Sequence, residues 1–164
     1  MRKLFLVVTV LFAASVVAQL YLAAVGVFSD PEDELFAWHG TNGRIVLPVL
    51  ALLTILTAAL ARAGKRTIWL AVLPLGLIIV QTLLFILTGV LFGLGPEDHA
   101  EPPLGATLFL ALHGVNGAAI LLTSVALVVR ARKLVRQGPP APRGSDDADA
   151  SGAEEPASDA VPAN

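Results

Sequence analysis

The chain has 164 residues, of which 55% are hydrophobic and 15% charged, and its mean hydropathy is +0.76. A soluble domain keeps about a quarter of its residues charged, so this composition argues against an ordinary soluble fold. There is no cysteine, which excludes disulfides and thiolate metal sites within the chain. The formal net charge of -2 says little, because the charges are concentrated between and after long apolar runs.

Four apolar runs predict four transmembrane helices, at about residues 4–28, 36–61, 68–93 and 104–130. In lipid each span must satisfy its own backbone hydrogen bonds, which favours the α-helix. Pro48 and Pro74 fall inside the second and third runs, where we expect kinks. The predicted fold is an all-α membrane protein in which residues 1–136 form a four-transmembrane up-down-up-down helix bundle.

The first run has a second interpretation. Arg2, Lys3, an apolar stretch and Val16–Ala18 match the pattern of a secretory signal with a cleavage site after Ala18. The run continues to Phe28, however, which is long for a signal core. We therefore expect a membrane span.

The charges between the runs predict how the chain is oriented. The basic clusters are Arg2 and Lys3, Arg62 to Arg66, and Arg130 to Arg136, whereas the acidic loops hold Asp30 to Glu34 and Glu97 to Glu101. Cytoplasmic segments carry an excess of lysine and arginine. We expect a multi-pass protein of the plasma (inner) membrane with both termini in the cytoplasm.

Residues 137–164 differ in composition from the rest of the chain. They begin with a proline-rich stretch, continue in Asp, Ala, Gly, Ser and Glu, and contain no aromatic residue. Such a segment buries too little apolar area to offset its ordering entropy. The sequence predicts a disordered cytoplasmic tail.

The motif His-Gly-x-Asn-Gly occurs twice, at residues 39–43 and 113–117. Gln19 lies in the run before the first copy, and Gln81 lies in the run before the second. The correspondence predicts two parallel helical-hairpin repeats, related by an axis along the membrane normal.

The two motif histidines are the candidate site. In such a bundle the second and fourth spans lie diagonally across the core, so His39 and His113 reach a similar depth. Imidazole suits haem iron, whereas two histidines alone make a poor zinc site. The interpretation is a bis-histidine haem b site with His39 and His113 as metal ligands. Its role would be electron transfer, haem handling or redox sensing.

Other polar residues near the histidines have two possible roles. Asn42, Asn116, Gln19 and Gln81 either orient the histidines around a cofactor or hydrogen-bond across helices with no ligand present. Arg44 pairs either with a haem propionate or with the acids of its own loop. The motif glycines allow either close helix contact or room for a flat cofactor. Outside the motif, the spacing of Gly89 and Gly93 predicts a packing face of small residues.

The pattern of glutamine in the odd spans and histidine in the even spans resembles one four-helix half of the heme A synthase family. The closest stretch runs from Gln81 to Val129 and includes Ala111-Leu112-His113. The resemblance covers about residues 4–133 and implies that His39 and His113 are axial haem ligands. Phe36 stands where that family has a glutamate, and the outer-loop cysteines are absent, so haem hydroxylation by this chain alone is not expected. The chain is also similar to uncharacterised small four-helix bacterial membrane proteins.

Several classes of function receive no support. No motif for hydrolysis, phosphoryl transfer or dinucleotide binding is present, so the sequence does not predict an enzyme. The basic residues sit where topology requires them, so no nucleic-acid partner is expected. The expected partners are the lipid bilayer and another membrane protein. The alternative function is a non-enzymatic structural or accessory membrane subunit without a cofactor.

Overall fold

The structure is a computed structural model that describes residues 1–95 and 101–137. Within those residues it contains helices and no strand, which confirms the all-α prediction. The four long helices are α1 (Arg2–Phe28), α2 (Phe36–Leu60), α3 (Lys65–Phe92) and α4 (Leu104–Arg136). The tail predicted to be disordered and the acids of the second loop before Glu101 lie outside the described residues.

All four helices are long and apolar enough to cross a membrane, judged by length and composition. They agree with the predicted spans, but three of them extend further at the basic end. The longest extension is in α4, where Arg130 to Arg136 continue the helix.

The helices pack in a ring. Both α1 and α3 pack against α2 and against α4, so that α2 and α4 face one another diagonally. The N-terminus of α1 meets the C-terminus of α4, where Arg2 donates a hydrogen bond to the carbonyl oxygen of Leu134 at 3.3 Å. Arg130 also donates to Thr67 at the start of α3, at 3.4 Å. The basic clusters therefore gather at one end of the bundle.

The core consists of two groups of buried side chains stacked along the bundle. The group at the basic end is Phe5, Ala58, Ala61, Ala71, Leu127 and Ala131, and the next is Phe12, Val16, Leu47, Ala51, Ile78 and Ile120. Many larger aliphatic side chains point outward instead. Small residues between helices let the backbones approach closely, as in bundles that pack by van der Waals contact within lipid.

Buried positions recur at fixed spacings along the chain. In α1 and α3 they recur 62 positions apart, as in the pairs Thr9 and Ala71, Phe12 and Pro74, and Val16 and Ile78. In the later parts of α2 and α4 they recur 73 positions apart, as in Ala51 and Ser124, Thr54 and Leu127, and Ala58 and Ala131. The motif histidines, however, lie 74 positions apart. One residue of α2 therefore has no counterpart in α4.

That extra residue lies in a π turn. The α2 helix is regular over Phe36–Thr41, passes through a π turn at Asn42–Val46, and is regular again over Leu47–Leu60. Pro48 explains the turn, because it lacks an N–H and its ring crowds the carbonyl group four residues earlier. The irregularity predicted at Pro48 is thus a π turn, whereas α3 continues as an α-helix through the buried Pro74.

The expected packing face at Gly89 and Gly93 is not used between the described helices of this chain. A Cβ atom on Gly89 would lie 3.1 Å from the carbonyl oxygen of Leu94, and one on Gly93 would meet nothing within 4 Å. No neighbouring helix approaches either residue. Gly93 instead ends α3 at φ 66°, and the N–H groups of Gly93 and Leu94 both bond to the carbonyl of Gly89.

Candidate functional site

A hydrogen-bond network joins α1 to α2 around His39. The side-chain amide of Gln19 donates to the carbonyl oxygen of His39 at 3.1 Å. Asn42 donates to the side-chain oxygen of Gln19 at 2.7 Å and to the carbonyl of Ser15 at 3.1 Å. The hydroxyl of Ser15 donates in return to the side-chain oxygen of Asn42 at 2.9 Å. The network fixes the orientation of both carboxamides.

The same network determines the tautomer of His39. Its Nδ1 atom lies 3.0 Å from the carbonyl oxygen of Gln19, which accepts but cannot donate, so Nδ1 carries the proton. The Nε2 atom lies 3.2 Å from the side-chain nitrogen of Gln19 and accepts a hydrogen bond from it. The lone pair of His39 is therefore on Nε2, as required of a histidine that binds metal through that atom.

An equivalent network joins α3 to α4 around His113. Gln81 donates to the carbonyl oxygen of His113 at 3.0 Å, and Asn116 donates to the side-chain oxygen of Gln81 and to the carbonyl of Leu77 at 2.8 Å. The side-chain nitrogen of Gln81 also contacts Nδ1 of His113. Because this Nδ1 accepts, the proton of neutral His113 is on Nε2.

The two imidazoles face one another across the bundle. Their ring centroids are 6.1 Å apart and their planes are inclined at 54°. Phe36 stacks on His39 with centroids 5.0 Å apart, and Phe85 meets His113 edge to face at 4.9 Å. Neither phenylalanine was among the predicted site residues. For Phe36 the available signal was its position three residues before His39, which places both on one helix face.

A cavity of about 710 Å³ lies beside the histidines. Its polar lining includes His39, His113, Gln19, Gln81 and Arg44, and the remainder is largely apolar. Two of the predicted site residues, Asn42 and Asn116, do not line the cavity. They donate hydrogen bonds to the side-chain oxygens of Gln19 and Gln81 instead. The volume lies within the range of about 300–1,000 Å³ that is typical of cofactor and small-molecule sites.

The motif glycines divide between the two predicted roles. A Cβ atom on Gly43 would lie 2.8 Å from the side-chain nitrogen of Gln19, so this glycine allows close packing. A Cβ atom on Gly114 or Gly117 would meet nothing within 4 Å, and both residues line the cavity. Gly114 and Gly117 therefore leave open space beside His113.

Arg44 lies on the cavity side of α2. A Cβ atom on Gly40 would lie 3.5 Å from the guanidinium of Arg44. The Arg44 side chain therefore extends back toward the helical turn that contains His39. The alternative pairing with the acids of its own loop is not seen. Although Asp30 to Glu34 are all among the described residues, Arg44 makes no ion pair with any of them.

The described ranges contain no group of three or more His, Asp or Glu side chains that would hold a metal ion. His99, the remaining histidine, lies outside those ranges. Within the described residues, any metal chemistry therefore depends on two imidazoles and on a ligand that supplies the other coordination positions.

Comparison with known proteins gives one match. The profile of a family of unknown function, DUF6220, matches residues 19–93, which begin at Gln19 and end just after α3. The match includes Gln19, His39, Asn42 and Gln81 but stops before His113, and it covers less than half of the chain. No curated protein and no solved structure matches the chain. None of these comparisons links it to heme A synthase.

Proposed function

We propose that this chain is a multi-pass membrane protein that binds haem b between His39 and His113. Its function would be electron transfer, haem handling or redox sensing. The observation that carries the proposal is the pair of opposed imidazoles beside a cavity of cofactor size. When bound, haem would supply one-electron chemistry, and His39 and His113 would hold its iron beside a largely apolar cavity.

The separation of the rings supports the proposal. A metal–imidazole bond is about 2 Å long and each nitrogen lies about 1 Å from its ring centroid, so an ion bridging two rings needs centroids about 6 Å apart. The observed distance is 6.1 Å. The rings are thus close enough to share one iron once their nitrogens turn from the glutamines toward one another.

His39 has the tautomer of a metal ligand but must release the hydrogen bond from Gln19 to its Nε2, and His113 needs a change of tautomer. His39 has its lone pair on Nε2 and its Nδ1–H bonded to a backbone carbonyl, a usual arrangement for a metal ligand. Ligation through Nε2 of His113 needs the proton on Nδ1. Rotation of the Gln81 carboxamide would present its oxygen to that proton, with loss of the bonds that Gln81 makes to Asn116 and to the carbonyl of His113.

We further propose that the bundle consists of two hairpin repeats, with both termini in the cytoplasm. Buried positions that recur at fixed spacings support the repeat, as do the two equivalent networks. The gathering of basic clusters at one end of the bundle supports the orientation.

The orientation predicts the labelling of single cysteines. The native chain has none, so Glu32→Cys in the first acidic loop and Gln137→Cys after α4 can each be studied without background. On intact cells, a membrane-impermeant maleimide should label Glu32→Cys and leave Gln137→Cys unlabelled until the membrane is permeabilised. The reverse pattern would overturn the proposed orientation.

An absorption spectrum is the direct test of haem binding. The full chain, purified in detergent from haem-replete cells, should show a Soret band and sharp α and β bands on reduction, as expected of a six-coordinate bis-histidine haem. A preparation that stays colourless, even after titration with hemin, would reject the haem proposal.

We also propose that the arrangement is similar to one four-helix half of the heme A synthase family. Histidines on diagonal helices, each near a glutamine of the preceding helix, support it. Phe36, which stacks on His39 in place of the family's glutamate, favours a role in binding haem rather than in modifying it.

The second candidate is a structural or accessory membrane subunit without a cofactor. It is favoured by the completeness of the two networks, since in the described part of the chain no buried side-chain nitrogen or oxygen lacks a hydrogen-bond partner. Networks of this kind can stabilise helix pairs in lipid by about 0.6–2 kcal/mol per bond. This candidate predicts no chromophore and stable co-purification with another membrane protein.

A further inference from the structure

The two halves of the bundle differ most at the π turn of α2. Before the turn, His39 and Gly43 correspond to residues of α4 that lie 74 positions later. After it, the buried positions Leu47 and Ala51 correspond to residues 73 positions later. The extra residue therefore falls at positions 44–46, within the segment that contains Arg44.

Arg44 lines the cavity, whereas the residue at the same distance beyond His113 does not. In a regular α-helix, a residue five positions beyond a histidine lies about 140° around the axis from it. Ala118 has this position relative to His113, and it does not line the cavity. In α2 the turn is wider, because the N–H of Leu47 bonds to the carbonyl of Asn42, five residues earlier. Within this turn, Arg44 does line the cavity.

Arg44 is exposed on the bundle, and at this position its charge would be costly in lipid unless it has a partner. It lies eight residues into α2, about 12 Å along the axis from the first residue of the helix. A cation within an apolar span is rare and usually pairs with an opposite charge. Arg44 has no ion-pair partner among the described residues, and its guanidinium lies beside the cavity that both histidines line.

We propose that Arg44 is the binding site for a carboxylate on an otherwise apolar ligand of this cavity. Arginine binds a carboxylate through two parallel hydrogen bonds, which would hold the ligand in one orientation between the repeats. The inference rests on the proposed ligand-binding role of the cavity, but it does not require that the ligand be haem. A propionate of haem and the head of a fatty acid are the two sources of such a group.

Paired acids and esters test the inference on the full chain, purified in detergent without bound haem. In one arm, hemin and its dimethyl ester are titrated and the Soret band is followed. In the other, cis-parinaric acid and its methyl ester are titrated and fluorescence is followed. The native chain should bind the acid about tenfold more tightly than the ester in at least one arm, as expected for a charge-assisted hydrogen-bonded pair.

Three variants assign that preference to Arg44. Arg44→Leu should reduce it to within about twofold, and Arg44→Lys should retain part of it. Arg66→Leu, which removes a cation from the first turn of α3 outside the cavity lining, should leave it unchanged.

The outcomes are distinguishable. A preference for hemin over its ester that depends on Arg44 supports the inference with haem as the source, and the same result with parinaric acid supports it with a fatty acid. No preference in either arm, or a preference that survives Arg44→Leu, overturns it. If neither porphyrin binds, the haem proposal fails by itself, and the parinaric arm decides the inference.

Discussion

Replacing either His39 or His113 by alanine should lower the haem retained on purification by about tenfold or more. The loss of a residue that merely orients a metal ligand already costs about 10–100-fold in metal affinity, and loss of the ligand should cost at least as much. The two rings face one another at 6.1 Å, so neither can replace the other on the same side of an iron. The measurement is the ratio of Soret to protein absorbance in matched preparations.

The remaining haem in each variant gives a second readout. With one imidazole lost, the spectrum should shift from six-coordinate low-spin toward five-coordinate high-spin. Thr41→Ala is the matched control, because Thr41 lies between His39 and Asn42 but is exposed and bonds only within its own helix, to the carbonyl of Ala37. An unchanged spectrum in both histidine variants would mean that haem binds elsewhere or not specifically.

Gly26→Ala should be the most destabilising single methyl addition in the bundle. A Cβ atom on Gly26 would lie 2.8 Å from both Cα and Cβ of Phe36, where α1 meets the start of α2. Because backbone is involved, the overlap is relieved only if the helices separate. We expect a loss of about 1–3 kcal/mol in the free energy of unfolding, as for overpacked cores. Denaturant titration in detergent, followed by circular dichroism, measures it.

The control for Gly26 is the same substitution where space is open. A Cβ atom on Gly76, inside α3, would meet nothing within 4 Å. Gly76→Ala should leave stability unchanged or raise it by up to about 1 kcal/mol, since alanine loses less backbone entropy in a helix. Equal effects of the two substitutions would show that the contact between Gly26 and Phe36 does not form as described.

Separation of α1 from α2 should also affect the site. Phe36 is held by Gly26 on one side and stacks on His39 on the other. Gly26→Ala should therefore reduce haem retention as well as stability, whereas Gly76→Ala should reduce neither. This coupling links the helix contact to the position of one proposed ligand.

The helix count and the polar residues of the site were predictable from the sequence. Hydrophobic runs of this length have few alternatives to helices, because a backbone in apolar surroundings must satisfy its own hydrogen bonds. The duplicated His-Gly-x-Asn-Gly motif selected Gln19, His39, Gln81 and His113, and the structure brings each glutamine to the histidine of its own half. A short motif is visible because its residues are close in sequence.

The tertiary structure alone decided the register, the aromatic contacts and the roles of the glycines. Nothing in the identical motif letters separates Gly43, which is packed against Gln19, from Gly117, which borders open space. The difference arises from the neighbouring helix, which side chains of distant sequence position determine. Likewise, the proline signal at Pro48 predicted an irregular helix but not a π turn, and not that Arg44 would line the cavity. Local sequence determines where a helix forms, whereas packing against other helices determines which residues face one another.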